Sequence, residues 1–270
     1  MFKFNNYSNK KKSKQIIHPL VNTNNMSKII NSNKIIHIFI SGIIRPNINY
    51  LNFLSAKIKY LFSSFNIKLY LLTWDNQNIN KENIIGFDYI FFEPEPTDEY
   101  IYNNITNKTK QQIQLKGEID NWTPRIYKQF YSIRKIIEHI QSNNIYIPDD
   151  DIVIRIRPDL YFYDYQINTM NIILNSFNTN IYYFCPRYET ALSSCDWFAI
   201  ASYNIFKKIL YIKDDKTYNE LIKNIWNAED IILYNIKNNN IKSFSLNNNI
   251  QLRICRKFTS ENELNLHHYK

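Results

Sequence analysis

The alternation of short apolar runs with amphipathic segments constrains the fold of this chain more than any other feature. Runs typical of buried strands occupy residues 34–41, 67–73, 87–92, 151–156 and 181–185. Four segments have apolar residues at helical spacing or otherwise favour a helix; they are residues 48–64, 124–143, 203–212 and 228–238. Strands that alternate with helices predict an α/β fold, with a mostly parallel, Rossmann-like sheet flanked by helices.

We expect a single domain over residues 34–256, with polar tails at residues 1–33 and 257–270. Within the domain, residues 97–120 lack a clear period, which favours a loop or lid with some helix, and two further strand-like runs follow the last helix, at 241–246 and 250–255.

The N-terminal tail holds six lysines and no acidic residue, so it carries +6 of the net charge of +9 and leaves +3 for the rest. This pattern favours a disordered, solvated tail, with contact to an anionic membrane surface or nucleic acid as the alternative.

The rare glycines and cysteines exclude several classes of site. Gly42, Gly86 and Gly117 are too far apart to form a dinucleotide fingerprint, a P-loop or a GxSxG nucleophile elbow. The three cysteines are too scattered for a disulfide framework or a zinc site, which favours a reducing, cytoplasmic location. No run approaches the length of a transmembrane helix, and no signal-peptide core is visible.

Polar side chains follow three of the predicted strands. They are found at residues 42–45, at Trp74-Asp75 and at residues 157–159. Ligands of open parallel sheets bind beyond the carboxyl ends of the strands. The charged residues of the third segment would be costly inside a sheet without partners, so a binding role is one explanation for them.

Six short motifs follow one another along the chain. They are SGIIR (41–45), LLTWD (71–75), YKQFYSI (127–133), RIRPDLYF (155–162), CDWFAIAS (195–202) and AEDIIL (228–233). In their order and spacing they resemble the GT-A-fold glycosyltransferases that use nucleotide sugars, and within that family WavE-type lipopolysaccharide-synthesis proteins and related capsule and giant-virus transferases. The resemblance covers about residues 34–245.

The resemblance implies a divalent metal, Mn²⁺ or Mg²⁺, at the strand end that carries Arg157-Pro158-Asp159. The family usually has Asp-x-Asp here, so this chain keeps the last aspartate and has an arginine in place of the first. Asp159 would hold the metal, which would act as a Lewis acid. Arg157 would directly stabilise the negative charge that develops on the diphosphate leaving group. The alternative is structural, with Arg155 and Arg157 on one strand face paired to acids at 149–151 or to Asp164.

The same resemblance implies further contacts to the sugar-nucleotide donor. Gly42 and Arg45 would contact the nucleotide, although an ordinary turn is the alternative. Trp74 and Asp75 would contact the base or ribose, although Trp74 also suits the core. Side chains on one face of the 124–143 helix would line the donor pocket unless that face is a solvated flank; they are Tyr127, Tyr131 and Arg134.

An inverting transferase needs a general base for the acceptor hydroxyl. The candidates are Asp196, Glu229 and Asp230. Asp196 lies in an apolar run, where burial would raise its pKa, or it caps nearby backbone. Glu229 and Asp230 lie at a predicted helix start, where the helix dipole alone favours acidic residues.

The sequence therefore predicts a glycosyltransferase with a nucleoside-diphosphate sugar as donor and a glycan or glycoconjugate as acceptor, without a transmembrane segment. A non-catalytic relative that binds a sugar nucleotide or a glycan is the first alternative, because an arginine replaces the family's aspartate. A nucleic-acid-binding protein that uses the basic tail is the second, and it is less favoured because the domain itself is nearly balanced in charge.

Overall fold

The computed structural model describes residues 34–77, 79–104, 122–163, 166–185, 197–222, 228–246 and 252–254. Their main feature is a seven-stranded sheet with the order β3-β2-β1-β4-β7-β6-β8. The strands of this sheet are β1 (Ile35–Ser41), β2 (Asn66–Trp74), β3 (Tyr89–Glu93), β4 (Ile152–Ile156), β6 (Ile181–Phe184), β7 (Phe198–Ser202) and β8 (Lys242–Ser245). A separate two-stranded ribbon joins β5 (Leu160–Phe162) to β9 (Leu252–Ile254).

Six of these seven strands run in one direction. β2, β1 and β4 are parallel neighbours, as are β2 and β3, whereas β7 runs antiparallel to both β4 and β6. β8 is again parallel to β6 at the sheet edge. The prediction of a mostly parallel α/β sheet flanked by helices is therefore confirmed.

Helices cover both faces of the sheet, because alternate strand residues point to opposite sides and both sides are apolar. One face packs against α2 (Asp98–Asn104), α3 (Trp122–Ser142), α5 (Tyr203–Leu210), α6 (Asp215–Ile222) and α7 (Ala228–Asn238). The other face packs against α1 (Ile48–Leu61) and α4 (Gln166–Asn175).

In the two helices with the clearest sequence pattern, the apolar residues at helical spacing from which each helix was predicted are buried. In α1 the Asn47 side chain accepts a hydrogen bond from the Tyr50 backbone N–H and so caps the helix. The stripe of α3 is buried over its whole length, at Ile126, Phe130, Ile133, Ile137 and Ile140.

Four elements of the structure were not predicted. They are the strands β5 and β7 and the helices α4 and α6, each of which is short. The strand predicted at 151–156 is β4, which ends at Ile156, and a turn then leads into β5 of the small ribbon. Of the predicted lid at 97–120, α2 is a helix and residues 105–120 lie outside the described residues.

This turn also corrects the prediction that Arg155 and Arg157 share an environment. Arg155 is inside β4, 2% exposed, aligned with Phe39 of β1 and Ala199 of β7. Arg157 lies beyond the strand, where the alternation of side chains no longer applies, and its side chain is 25% exposed.

None of the helices in the described ranges is both long enough and apolar enough to cross a membrane.

Candidate functional site

The strand order of the sheet reverses between β1 and β4, and we call the carboxyl end of the sheet at this point the crevice. From β1 the chain moves outward through β2 to β3, and it then returns to place β4 on the other side of β1. Such a reversal of strand order separates the loops that follow the two central strands, which opens a space for a ligand. Ile40 of β1 aligns with Ile156 of β4, so Gly42 and Arg157 leave the sheet at the two sides of this crevice.

The loop after β1 is held in a conformation that exposes its backbone. Gly42 has φ of +120°, which side-chain-bearing residues rarely adopt, and its N–H donates to the Leu72 carbonyl at 3.0 Å. A Cβ atom added to Gly42 would meet nothing within 4 Å. This open space allows a ligand to approach the Gly42 backbone, and Arg45 is exposed three residues later.

Gln77 ties this loop to the end of β2. Its side-chain oxygen accepts a hydrogen bond from the Ile44 N–H at 3.1 Å and another from the Thr73 hydroxyl at 2.8 Å. The amide of Gln77 therefore sets the distance between the loops that follow β1 and β2. No motif in the sequence singles out Gln77. Thr73 is a local partner, four residues before it, but Ile44 is brought to it only by the tertiary fold.

The other side of the crevice is formed by an ion pair between Arg157 and Asp159. Arg157 Nε donates to Asp159 Oδ1 at 3.0 Å and Nη2 donates to Oδ2 at 2.9 Å, which is the bidentate geometry of strong guanidinium–carboxylate pairs. The Asp159 side chain is 2% exposed, whereas that of Arg157 is 25% exposed. The carboxylate thus lies inside the protein and the guanidinium lies between it and the solvent.

Trp197, which directly precedes β7, also contacts Arg157. The backbone N–H of Arg157 donates to the Trp197 carbonyl at 3.2 Å, and the guanidinium carbon of Arg157 lies 5.7 Å from the centre of the indole ring. This distance is within the range of a cation–π contact. Trp197 lies in the CDWFAIAS motif but was not predicted as a site residue, because only the reversed strand β7 brings it beside Arg157.

The described residues around Asp159 do not fit the divalent metal that the resemblance implies. Both carboxylate oxygens already accept hydrogen bonds from Arg157, and the side chain is almost fully buried. In the described part of the chain, no three His, Cys, Asp or Glu side chains come together in a way that could hold a metal ion. The structural alternative, an acid that neutralises Arg157, matches this geometry, with Asp159 as the partner. Asp164, one of the acids that the sequence analysis considered, lies outside the described residues.

Trp74 and Asp75 have different surroundings although they are adjacent. Trp74 is 1% exposed, with its ring 6.2 Å from that of Tyr131, so it occupies the core position that was the alternative prediction. Asp75 is exposed in a short 3₁₀ turn at residues 75–77, at the carboxyl edge of the sheet. Of the two side chains, Asp75 is the one that faces solvent.

Tyr127 and Arg134 of α3 meet at Asp215, the first residue of α6. Asp215 accepts hydrogen bonds from Tyr127 at 2.7 Å, from Arg134 Nη1 at 2.9 Å and from Tyr100 of α2 at 2.6 Å. Burial opposes ionisation of Asp215, but the hydrogen bonds from Tyr100, Tyr127 and Arg134 hold its pKa below the usual value. This acid was not predicted, since nothing local in the sequence marks it.

Tyr131 lies on the same side of α3. The Arg134 guanidinium carbon is 4.8 Å from the centre of the Tyr131 ring. The α3 face that the sequence analysis assigned to the donor pocket is therefore packed against α2 and α6, and a donor-binding role for Tyr127 and Arg134 stays a prediction.

Two of the three candidate bases lie in the described part of the chain. Glu229 and Asp230 occupy the first turn of α7, as predicted. Helix α7 leads into β8, and β8 starts at the amino end of the sheet because it is parallel to β6. The topology therefore places the first turn of α7 toward the carboxyl end of the sheet. Asp196 lies outside the described residues.

Neither a model of a known protein family nor a curated protein sequence matches this chain. Solved structures do match it. A glycosyltransferase involved in the glycosylation of the major capsid of PBCV-1 is 12% identical, with a TM-score of 0.41 over 86% of this chain and 98% of its own. The 2-C-methyl-D-erythritol 4-phosphate cytidylyltransferase (IspD) of Francisella tularensis is 10% identical, with a TM-score of 0.44 over 87% and 98%.

Mouse xyloside xylosyltransferase 1 also matches, at 8% identity and a TM-score of 0.40 over 78% of this chain and 85% of its own. Two of these three structures are glycosyltransferases, the class that the sequence motifs resemble. Because the TM-scores are below 0.5, the function of this chain is argued below from its own residues.

Proposed function

We propose that this chain is a glycosyltransferase, which moves a sugar from a nucleoside-diphosphate sugar to a hydroxyl group of a glycan or glycoconjugate. The observation that carries the proposal is the crevice between β1 and β4, with the open backbone of Gly42 on one side and the guanidinium of Arg157 on the other. A phosphorylated donor needs a close backbone approach and a positive group, and this crevice offers both.

In this proposal the nucleotide part of the donor lies along the loops after β1 and β2, in contact with Gly42, Arg45 and Asp75. Its diphosphate faces Arg157. Breaking the bond between the sugar and the diphosphate builds negative charge on the leaving group, and a fixed cation lowers the barrier by stabilising that charge.

The acceptor hydroxyl loses a proton when it attacks the sugar. If the transfer inverts the configuration of the sugar, a carboxylate takes this proton as general base. Glu229 and Asp230 are our candidates among the described residues because the topology brings the start of α7 toward the same edge of the sheet. Asp196 remains a third candidate for the base.

A donor screen tests the activity. The protein is incubated with UDP-, GDP-, CDP- and dTDP-sugars, with manganese or with EDTA, and release of the nucleoside diphosphate is measured with and without sugar acceptors. We expect release from one donor class, which rises when an acceptor is present. If no donor is turned over but one nucleotide sugar still binds, the chain is instead a non-catalytic sugar-nucleotide-binding relative.

Thermal denaturation distinguishes this function from nucleic-acid binding. A nucleoside diphosphate at 100 times its dissociation constant stabilises the folded state by roughly 2.7 kcal/mol. For a chain of this size, that corresponds to an increase in Tm on the order of 5–10 °C. Single-stranded DNA should raise the Tm of a chain that lacks residues 1–33 much less, and the opposite ranking would favour the nucleic-acid function.

A further inference from the structure

We infer that Arg157 binds the donor diphosphate directly, without a metal ion on Asp159, and that Asp159 is a positioning residue for the guanidinium. The inference rests on the proposed function and differs from the metal site that the family resemblance implies. It is carried by the geometry of the pair, by its burial and by the indole ring of Trp197 beside the guanidinium.

The geometry leaves one edge of the guanidinium available. Arginine has five N–H donors, of which Asp159 uses one on Nε and one on Nη2. The other three, two on Nη1 and one on Nη2, point away from the carboxylate. Within the described ranges no residue accepts a hydrogen bond from Nη1 of Arg157. Two parallel N–H donors on that edge match two oxygens of a phosphate group.

The burial of the pair shows which edge faces outward. Asp159 is 2% exposed and Arg157 is 25% exposed, so the carboxylate is on the inner side of the pair and the exposed part of the pair belongs to Arg157. In our inference the three remaining donors are on that exposed side. A phosphate on the outer edge is separated from the Asp159 carboxylate by the guanidinium itself. The arginine therefore lies between two anions, which reduces their mutual repulsion.

Two contacts orient the guanidinium of Arg157 before any ligand binds, namely the bidentate pair with Asp159 and the indole ring of Trp197. The backbone of Arg157 is held as well, because its N–H donates to the Trp197 carbonyl. A flexible arginine would lose side-chain entropy on binding, and a fixed one loses little. In our inference Asp159 thus assists binding of the diphosphate by holding Arg157 in place, without contacting the diphosphate itself.

A metal on Asp159 would remove this arrangement. The carboxylate would have to release both hydrogen bonds from Arg157, and the guanidinium and the metal would then be two cations close together. Like charges at short range repel, and a buried charge without its partner is strongly unfavourable. The pair of Arg157 and Asp159 and a metal at Asp159 are therefore alternatives.

Calorimetric titration of the full chain with UDP, GDP, CDP and dTDP, each in EDTA and in manganese, tests the inference. For the nucleotide that binds, we expect dissociation constants in the two conditions that agree within about threefold. Arg157→Lys keeps the charge but loses the planar fork, so it should weaken binding about tenfold or more, or roughly 1.4 kcal/mol, in both conditions.

Two further variants complete the design. Arg125→Lys, on the exposed side of α3, is the matched control and should bind like the wild type. Asp159→Asn weakens the contact that orients Arg157, so it should weaken binding by the same factor in EDTA and in manganese. If this variant does not fold, the comparison of Arg157→Lys with Arg125→Lys still tests the role of the arginine.

Two results would overturn the inference, and they have different meanings. Binding that is at least about tenfold tighter in manganese, with that gain lost in Asp159→Asn, would establish Asp159 as a metal ligand and leave the proposed function intact. Failure of all four nucleotides to bind in either condition would overturn the proposed function as well.

Discussion

Asp215 is the residue on which three helices converge. Its carboxylate accepts hydrogen bonds from Tyr100 of α2 and from Tyr127 and Arg134 of α3, while the residue itself begins α6. Hydrogen bonds to a charged group contribute more than those between neutral groups, and Asp215→Asn removes that charge with little change of shape. We expect a loss of about 2 kcal/mol in the free energy of unfolding. This corresponds to a decrease in Tm of about 4–8 °C for a chain of this size.

The control for Asp215 is Glu99→Gln, an exposed acid of α2 that should leave the Tm unchanged. The pH dependence gives a second check. Because the pKa of Asp215 is lower in the folded protein, its stabilisation is complete above the unfolded value near 3.9 and is lost as the pH falls through the lower folded value. The difference in Tm between the wild type and Asp215→Asn should therefore shrink below about pH 4. A constant difference would show that the charge is not what stabilises this contact.

His37 connects three parts of the sheet. Its Nδ1 lies 2.9 Å from the Tyr70 hydroxyl of β2, and its Nε2 lies 3.2 Å from Asp151, the residue before β4. Burial lowers the pKa of His37, and the charge of Lys68 acts in the same direction, although the hydrogen bond and the charge of Asp151 oppose the shift. The folded protein therefore takes up this proton at a lower pH than the unfolded chain does.

A lowered histidine pKa makes the protein less stable in acid. Below the unfolded pKa of about 6.5 the unfolded chain binds the proton first, so the free energy of unfolding should fall by up to about 1.4 kcal/mol per pH unit from this group. The decrease ends once the pH is below the folded pKa. His37→Gln keeps a polar side chain and does not titrate, so its unfolding free energy should depend less steeply on pH between 6.5 and the folded pKa. Equal slopes in urea denaturation of the two proteins would contradict this account of His37.

Substitutions at two glycines with positive φ can distinguish ligand binding by the loop after β1 from a general effect on stability. Gly42 has φ of +120° and Gly86 has φ of +91°, so alanine at either position is strained by about 1–3 kcal/mol. At Gly86 an added Cβ would also lie 2.6 Å from the Ser55 hydroxyl. We expect both Gly42→Ala and Gly86→Ala to lower the Tm, but only Gly42→Ala to weaken binding of the nucleoside diphosphate.

The titrations that test Arg157 can be repeated on both glycine variants. Gly86→Ala is the matched control, because it carries similar backbone strain at a site away from the crevice. Equal affinities in the two variants would show that the loop after β1 does not contact the donor.

At the scale of the whole molecule, the candidate site is built from residues of the predicted domain, whereas the lysine-rich segment 1–33 lies outside the described residues. We expect deletion of residues 1–33 to leave the fold and any transferase activity largely intact, because that segment is rich in lysine and offers few apolar residues to a core. The Tm should change by less than about 2 °C, which for this size is below 1 kcal/mol. Far-UV circular dichroism and the donor screen measure the outcome, and aggregation of the shortened chain would show that the tail belongs to the core.

The sequence by itself determined the fold class and most of the larger elements. Helix α7 has the predicted bounds, and α1, α3, β1 and β2 are shifted by only a few residues at their ends. Their apolar periods are local, so they can be recognised without knowledge of the rest of the chain. The sequence also predicted a site at the ends of β1, β2 and β4, since the chain changes there from apolar to polar, and this site stays a prediction.

The tertiary structure alone decided which side chains meet. The reversal of β7 brings Trp197 to Arg157, and the start of α6 brings Asp215 to α3. The pair of Arg157 and Asp159 is a different case, because the two residues are only two positions apart and a local turn after Ile156 directs their side chains toward each other. A local sequence pattern records the burial preference of each segment, whereas the partner of a charged group depends on the angle at which a distant segment arrives.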